Sequence, residues 1–274
     1  MFVTRLISSI VLAAAALMVI LQGGYLLAGT LFVISVIAYR ELMQACGLKV
    51  PSKINALEVT GYLSITAYYL VMVFSPDAKF LFFIIIMSLV AFMFVYVFSF
   101  PRYRAEQIMS AFFHVVYAPV MLSCIYLTRS LTYGIFIVWM IFISSWICDT
   151  CAYCVGMLIG RHKMAPRLSP KKSVEGALGG IAGSAIVGGL YAYFVVNQAI
   201  FEQDVVWIFA LISAVGAVIA QVGDLAASAI KRDYDIKDYG KLIPGHGGIM
   251  DRFDSVIFTA PVIYFLAILL IYAA

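Results

Sequence analysis

Between Gly240 and Ser255 the chain reads GKLIPGHGGIMDRFDS, which sets glycines, a histidine, an arginine and two aspartates side by side. Gly245, Gly247 and Gly248 permit backbone conformations closed to other residues, so successive N–H groups can turn toward one anion. Arg252 adds a fixed cation and His246 a hydrogen-bond donor or acid. Asp251 and Asp254, three residues apart, face one side of the helix that this segment should open. The spacing is not that of a Walker A loop, so an ATPase-type P-loop is not indicated.

Two earlier segments carry related chemistry. In QVGDLAASAIKRDYDIKD, 221 to 238, a helix would put Asp224, Ser228 and Lys231 at i, i+4 and i+7 on one face, a carboxylate, a hydroxyl and an ammonium in line. Lys231, Arg232 and the acidic residues after them also read as an ordinary solvated helix end, whereas Asp224 follows directly on an apolar run. In ICDTCAYCVGMLIGRHKMAPRLSPKKSVEG, 147 to 176, Asp149 falls near the end of an apolar stretch, where a carboxylate is costly and serves either function or helix pairing. Ser169 and Pro170 there resemble a helix start, a serine cap followed by a proline in the first turn. Lys171 and Lys172 would then stand where the helix dipole favours anions, a conflict that a bound phosphate resolves. A basic loop attracted to anionic lipid accounts for the same lysines without defined geometry.

Hard oxygen donors without histidine or thiolate partners suit Mg²⁺, which takes one or two protein carboxylates and completes its shell with water and substrate phosphates. Asp224 and Asp251 are the expected metal ligands, with Asp254 nearby. Lysines, arginines and the glycine loop would neutralise the remaining phosphate oxygens. The chemistry expected is Mg²⁺-dependent phosphoryl or nucleotidyl transfer.

The elements that must position these groups are membrane helices. The 274 residues are 64% hydrophobic and only 12% charged, with a mean hydropathy of +1.04, far from the composition of soluble domains. Runs such as FLFFIIIMSLVAFMFVYVF, 80 to 98, are apolar on every face, which excludes the alternation of a transmembrane barrel. The class expected is an all-α integral membrane protein with about nine spans, near 6–21, 25–39, 57–74, 79–98, 107–127, 131–152, 176–196, 205–222 and 254–273. With the N-terminus in the cytoplasm, this count puts sixteen of the eighteen Lys and Arg residues inside and leaves only Lys79 and Arg129 outside. The C-terminus is then outside, and all three polar segments share the cytoplasmic face. The first apolar run has AAAA in its middle rather than after it, so it reads as an uncleaved span. Cys148, Cys151 and Cys154 are spaced by three but lack a second pair, so they read as small thiols packed between helices rather than a metal site. Residues 1–130 have the character of a multi-span scaffold, and 131–274 that of the catalytic region.

The pattern S-x-x-K-R-x(4)-K-D-x-G-x(2)-hydrophobic-P-G-H-G-G-hydrophobic-x-D-R-hydrophobic-D runs without a gap from Ser228 to Asp254 as SAIKRDYDIKDYGKLIPGHGGIMDRFD. In this the chain resembles the phosphatidate cytidylyltransferases, or CDP-diacylglycerol synthases. SPKKSVEG is similar to that family's SPKKTWEG, and Gly223–Asp224 precedes the signature as in the family. The resemblance extends from about residue 145 to the end. It implies CTP and phosphatidate in the bilayer as substrates and CDP-diacylglycerol and pyrophosphate as products, in phospholipid biosynthesis. It implies that Asp224 and Asp251 hold Mg²⁺, and that Ser228, Lys231, Arg232, Lys237, Asp238, His246, Arg252 and Asp254 shape the site. It also implies a homodimer, leaves room for a second, monovalent cation such as K⁺, and points to a cell inner membrane. No nucleic-acid partner is expected. Cys151 replaces the glycine of DTGAY and Val174 the tryptophan of KKTWEG, departures that bear on substrate positioning more than on the reaction.

Two rivals remain at the level of sequence. A CTP-dependent polyprenol kinase would use similar parts but release CDP. A secondary transporter of an anionic solute would carry charges deep in several spans and paired repeats.

Overall fold

The computed structural model describes residues 14–49, 54–196, 205–242 and 247–272. Among them are eight helices long and apolar enough to cross a membrane. They are α1 (Gly24–Ala45), α2 (Ala56–Phe74), α3 (Ala78–Phe98), α4 (Ala105–Arg129), α5 (Gly134–Ile159), α6 (Val174–Val196), α7 (Val205–Asp233) and α8 (Met250–Tyr272). The first expected span, 6–21, lies mostly outside the described residues; residues 14–22 of the chain are helical. Side chains that are apolar all round need a backbone whose hydrogen bonds are satisfied internally, and α3, with a mean hydropathy of 2.8, shows the rule at its plainest.

The helices outrun the apolar stretches that announce them. Helix α7 was expected to leave the membrane near 222 and continues to Asp233, carrying Asp224, Ser228 and Lys231 on it. Helix α1 runs on to Ala45 and so takes in Glu41. Helix ends are set by caps rather than by the end of hydrophobicity. At the start of α2, Asn55 accepts the Glu58 N–H at 2.8 Å while Glu58 accepts the Asn55 N–H at 3.2 Å, a reciprocal capping box. Wide π turns interrupt α4 at Val116–Val120, which contains Pro119, and α5 at Ile143–Ile147, immediately before Cys148 and Asp149.

The all-helical expectation needs one amendment. Lys163–Ala165 (β1) and Ser169–Ser173 (β2) form an antiparallel two-stranded hairpin, with Lys163 opposite Ser173 and Ala165 opposite Ser169. Ser169 and Pro170 therefore do not start a helix. The cap of α6 is Ser173, extended at φ −117° and ψ 155°, whose hydroxyl accepts the Gly176 N–H at 3.2 Å. Strand pairing with β1 holds the preceding residues extended, so the helix begins one Ser-containing turn later than the sequence suggests.

Packing divides the chain into two compact units, residues 1–126 with 234–252 and residues 127–233 with 253–274. In the first, the buried Tyr39 hydroxyl donates to the Leu57 carbonyl at 3.1 Å, and Ser35 and Tyr69 share a hydrogen bond of 2.7 Å. In the second, α5, α6 and α7 pack closely. A Cβ on Gly180 would come within 2.8 Å of the Cys148 carbonyl oxygen, so only glycine lets α6 lie this near α5. Ser145 of α5 and Thr259 of α8 are joined at 3.1 Å. Cys148 is buried, its thiol directed to the Ala217 carbonyl at 3.7 Å, as a packing group would be.

Candidate active site

The second unit gathers charge at one place. Lys172 of β2 forms an ion pair with Asp224 of α7. Asp149, one residue past the start of the regular helix that follows the π turn in α5, has Lys172 and Asp224 as its charged neighbours. Asp254 of α8 has Asp224, Lys231 and Asp149 as its own. Three carboxylates and two ammonium groups, from four elements separated by up to about a hundred residues of chain, thus share one locus. Asp149, read from sequence only as supporting, belongs to it.

Local structure explains how Lys172 reaches this point. Along β2 Lys171 is exposed, while Lys172 is half-buried and Ser173 buried. Neither lysine lies in the first turn of α6, so the dipole conflict expected there does not arise. Lys172 meets a carboxylate of its own chain where a phosphate was expected. The hairpin is tied down by Glu175 in the first turn of α6. Its carboxylate accepts main-chain N–H groups from Arg161 at 3.0 Å and His162 at 3.2 Å, and its Oε1 lies 2.6 Å from His162 Nδ1. The His162 carbonyl in turn accepts the Val174 N–H at 2.9 Å. Nothing in residue type or spacing marked His162 and Glu175 as partners across thirteen residues.

Beside this cluster lies a cavity of about 340 Å³. Asp149, Lys171 and Lys172 give it a polar side, and Tyr153, Met157 and Met164 an apolar one. Gln221 closes one wall, held by Nε2 to the Ala177 carbonyl at 3.1 Å and near Cys148 Sγ at 3.4 Å. A space with a charged end and a greasy end suits a molecule that is itself divided in that way.

The first unit contains the signature loop. Gly245 and His246 lie outside the described residues. Gly247 has φ +84°, in the left-handed region, and a Cβ there would come within 2.8 Å of Asp251 Oδ2. That oxygen accepts the N–H groups of Tyr239 at 2.8 Å and Gly248 at 3.0 Å. The glycines expected to face an anion of the substrate thus bind, at least at Gly248, the chain's own carboxylate. Arg252, Lys237, Asp238 and Arg232 are exposed, while Ser228 and Lys231 are half-buried on α7.

A further carboxylate escaped the sequence reading. Glu41 in the last turns of α1 is 8% exposed and accepts the N–H groups of Ile249 at 3.1 Å and Met250 at 2.8 Å. Its only sequence signal is its charge, at the end of an apolar run where such a group is expensive.

The donor set fits Mg²⁺. Asp224, Asp149 and Asp254 offer hard oxygen donors, and the Lys172 ammonium already occupies a cationic position beside Asp224 and Asp149. Among the described residues no group of three or more His, Cys, Asp or Glu side chains is placed to hold a metal ion. Mg²⁺ needs only one or two protein carboxylates and completes its shell with water and phosphate.

Helices long and apolar enough to cross a membrane thus carry carboxylates and ammonium groups beside a cavity with a charged and an apolar end, and comparison with known proteins gives the class. The chain matches the model of the cytidylyltransferase family over residues 3–270 and belongs to that family. It is 31% identical to the phosphatidate cytidylyltransferase of Staphylococcus haemolyticus over 268 residues, covering 96% of this chain and 98% of the relative. The proteins of the same name from Staphylococcus epidermidis and Staphylococcus aureus match to the same extent.

Proposed function

We propose that this protein transfers the cytidylyl group of CTP to phosphatidate, forming CDP-diacylglycerol and pyrophosphate, in phospholipid biosynthesis at the inner membrane of a bacterium. The observation that carries the reading is the meeting of Lys172 with Asp224 and Asp149, and of Asp254 with Asp224 and Lys231, beside a cavity polar at one end and apolar at the other.

In the reaction a phosphate oxygen of phosphatidate attacks the α-phosphorus of CTP in line. The bond from that phosphorus to the bridging oxygen breaks, and its electron pair leaves with pyrophosphate. Phosphatidate is already anionic at neutral pH, so no strong base is needed, and His246 serves as a loop organiser or phosphate donor. Both reactants are negative, and their repulsion is the main barrier the protein must lower. Asp224 and Asp251 would hold Mg²⁺, which when bound neutralises the triphosphate charge. Lys172, Lys231 and Arg252 stabilise the phosphate oxygens and the leaving pyrophosphate, with Lys171, Arg232 and Lys237 drawing the anions in. The apolar wall at Tyr153, Met157 and Met164 receives the less polar part of a substrate.

The asymmetric distribution of Lys and Arg supports an active site facing the cytoplasm, with the N-terminus on that side and the C-terminus opposite. A homodimer and an additional K⁺ belong to the same reading. Purified protein supplied with phosphatidate, Mg²⁺ and CTP labelled in the base should place label in the lipid fraction and release pyrophosphate. Release of CDP with unlabelled lipid would instead identify a kinase, and the reading would be lost.

A further inference from the structure

Glu41 stands more than two hundred residues before the signature loop, yet four points of that loop converge on its carboxylate. Oε1 accepts the Ile249 N–H and Oε2 the Met250 N–H. The same group lies against Gly240 and Gly248, where any Cβ would overlap it. The two N–H groups open α8, and donors at a helix start have no partner within the helix. A local Ser, Thr, Asp or Asn usually satisfies them. Ile249, the residue preceding this helix, has no side-chain acceptor, so a carboxylate from α1 supplies the cap and also meets the helix dipole.

The next residue along α8 is Asp251, whose Oδ2 is held by Tyr239 and Gly248. Gly248 therefore lies between two carboxylates, donating its N–H to one and packing its Cα against the other. Moving Glu41 would release the Ile249 and Met250 amides and, through Gly248, one of the two donors that orient Asp251.

We propose that Glu41 is a positioning residue for cytidylyl transfer. It fixes Gly240, Gly248 and the first turn of α8 so that Asp251 and Arg252 are presented in one direction. The proposal rests on the roles given to Asp251 and Arg252 above.

The test uses the full chain in mixed micelles of detergent and phosphatidate, comparing wild type with Glu41→Gln, Glu41→Asp and Glu41→Ala. Glu58→Gln is the control, since Glu58 is a buried helix-capping carboxylate of the same unit that does not bind the loop. Glu41→Gln turns one acceptor into a donor facing an N–H group. It should lower kcat by about tenfold or more and raise the Mg²⁺ concentration needed for half-maximal rate, with the KM for phosphatidate unchanged. Glu41→Ala should lose more, and Glu41→Asp should recover part of the loss. Amide exchange of the 240–252 segment should quicken in Glu41→Gln and not in Glu58→Gln. Wild-type kinetics and exchange in Glu41→Gln would overturn the proposal. So would a Glu58→Gln variant that, at equal loss of thermal stability, shows the same change in Mg²⁺ requirement. A wild-type chain that labels no lipid while Glu41→Gln still quickens loop exchange separates the two readings. The reaction assignment then falls, along with the catalytic consequence of Glu41, while its hold on the loop stands.

Discussion

Two groups of carboxylates in this protein are built on opposite principles. Glu41 and Asp251, in the first unit, are held by main-chain N–H groups and serve a backbone that would otherwise have unsatisfied donors. Asp224, Asp149 and Asp254, in the second, are neighbours of side-chain ammonium groups and of one another. A carboxylate bound by amides is fixed in place and shapes the chain around it. A carboxylate facing mobile cations keeps its charge available for exchange with a metal or a phosphate. Acidic residues alike in sequence thus differ in what holds them, main-chain amides for Glu41 and Asp251 and side-chain charges for Asp224, Asp149 and Asp254.

That division is open to attack, beginning with the largest effect. Asp224→Asn should remove about a thousandfold or more of cytidylyl transfer to lipid without lowering the thermal midpoint, because its partners are side chains that can turn to water. Near-normal labelling by this variant would remove Asp224 from the metal site. Asp251→Asn should also abolish turnover while the chain still folds. It differs in quickening amide exchange around Tyr239 and Gly248, whose donors then compete for a weaker acceptor. If exchange there is unchanged, the amide-bound class does not exist as described. Lys172→Ala comes next, at about a hundredfold in kcat, with Lys172→Arg regaining part of it. Equal rates in all three proteins would reduce this lysine to a partner of Asp224 alone. Gly248→Ala should act through Glu41, lowering stability by about 1–3 kcal/mol, as an overpacked site does, with a smaller kinetic loss. Least affected should be His162→Ala, since His162 is solvent-exposed and an exposed ion pair adds little to stability. A collapse in activity there would mean that the hairpin depends on this tether alone.

Much of the fold could be read from the chain because burial in lipid imposes one rule on every residue of a span. Apolar runs such as 80–98 announce themselves, and α3 follows its run to within two residues. The helix carrying Asp224, Ser228 and Lys231 was legible for the same reason, the 3.6-residue period extending one face past the membrane. The hairpin was not legible. Ser169 and Pro170 carry a true helix-start signal, and it is overridden by pairing with Lys163–Ala165, a contact that no local pattern encodes. Asp149 could be flagged by its cost in an apolar stretch, but its neighbours could not be named. Glu41 escaped notice because its partners are main-chain amides, which every residue possesses, and no side-chain pattern records where they will lie.

The π turn at Ile143–Ile147 bears on how such a site could have arisen. A wide turn is one residue more than the regular helix needs, and each added residue advances the helix by about 100° around its axis. Asp149 lies two residues beyond it, so its direction depends on that single surplus residue. Removing one residue from the turn would swing the carboxylate about a quarter of the way round α5 relative to the helix before the turn. In an ancestral gene, a lone codon gained or lost here would have been enough to move an acid into or out of reach of a lysine.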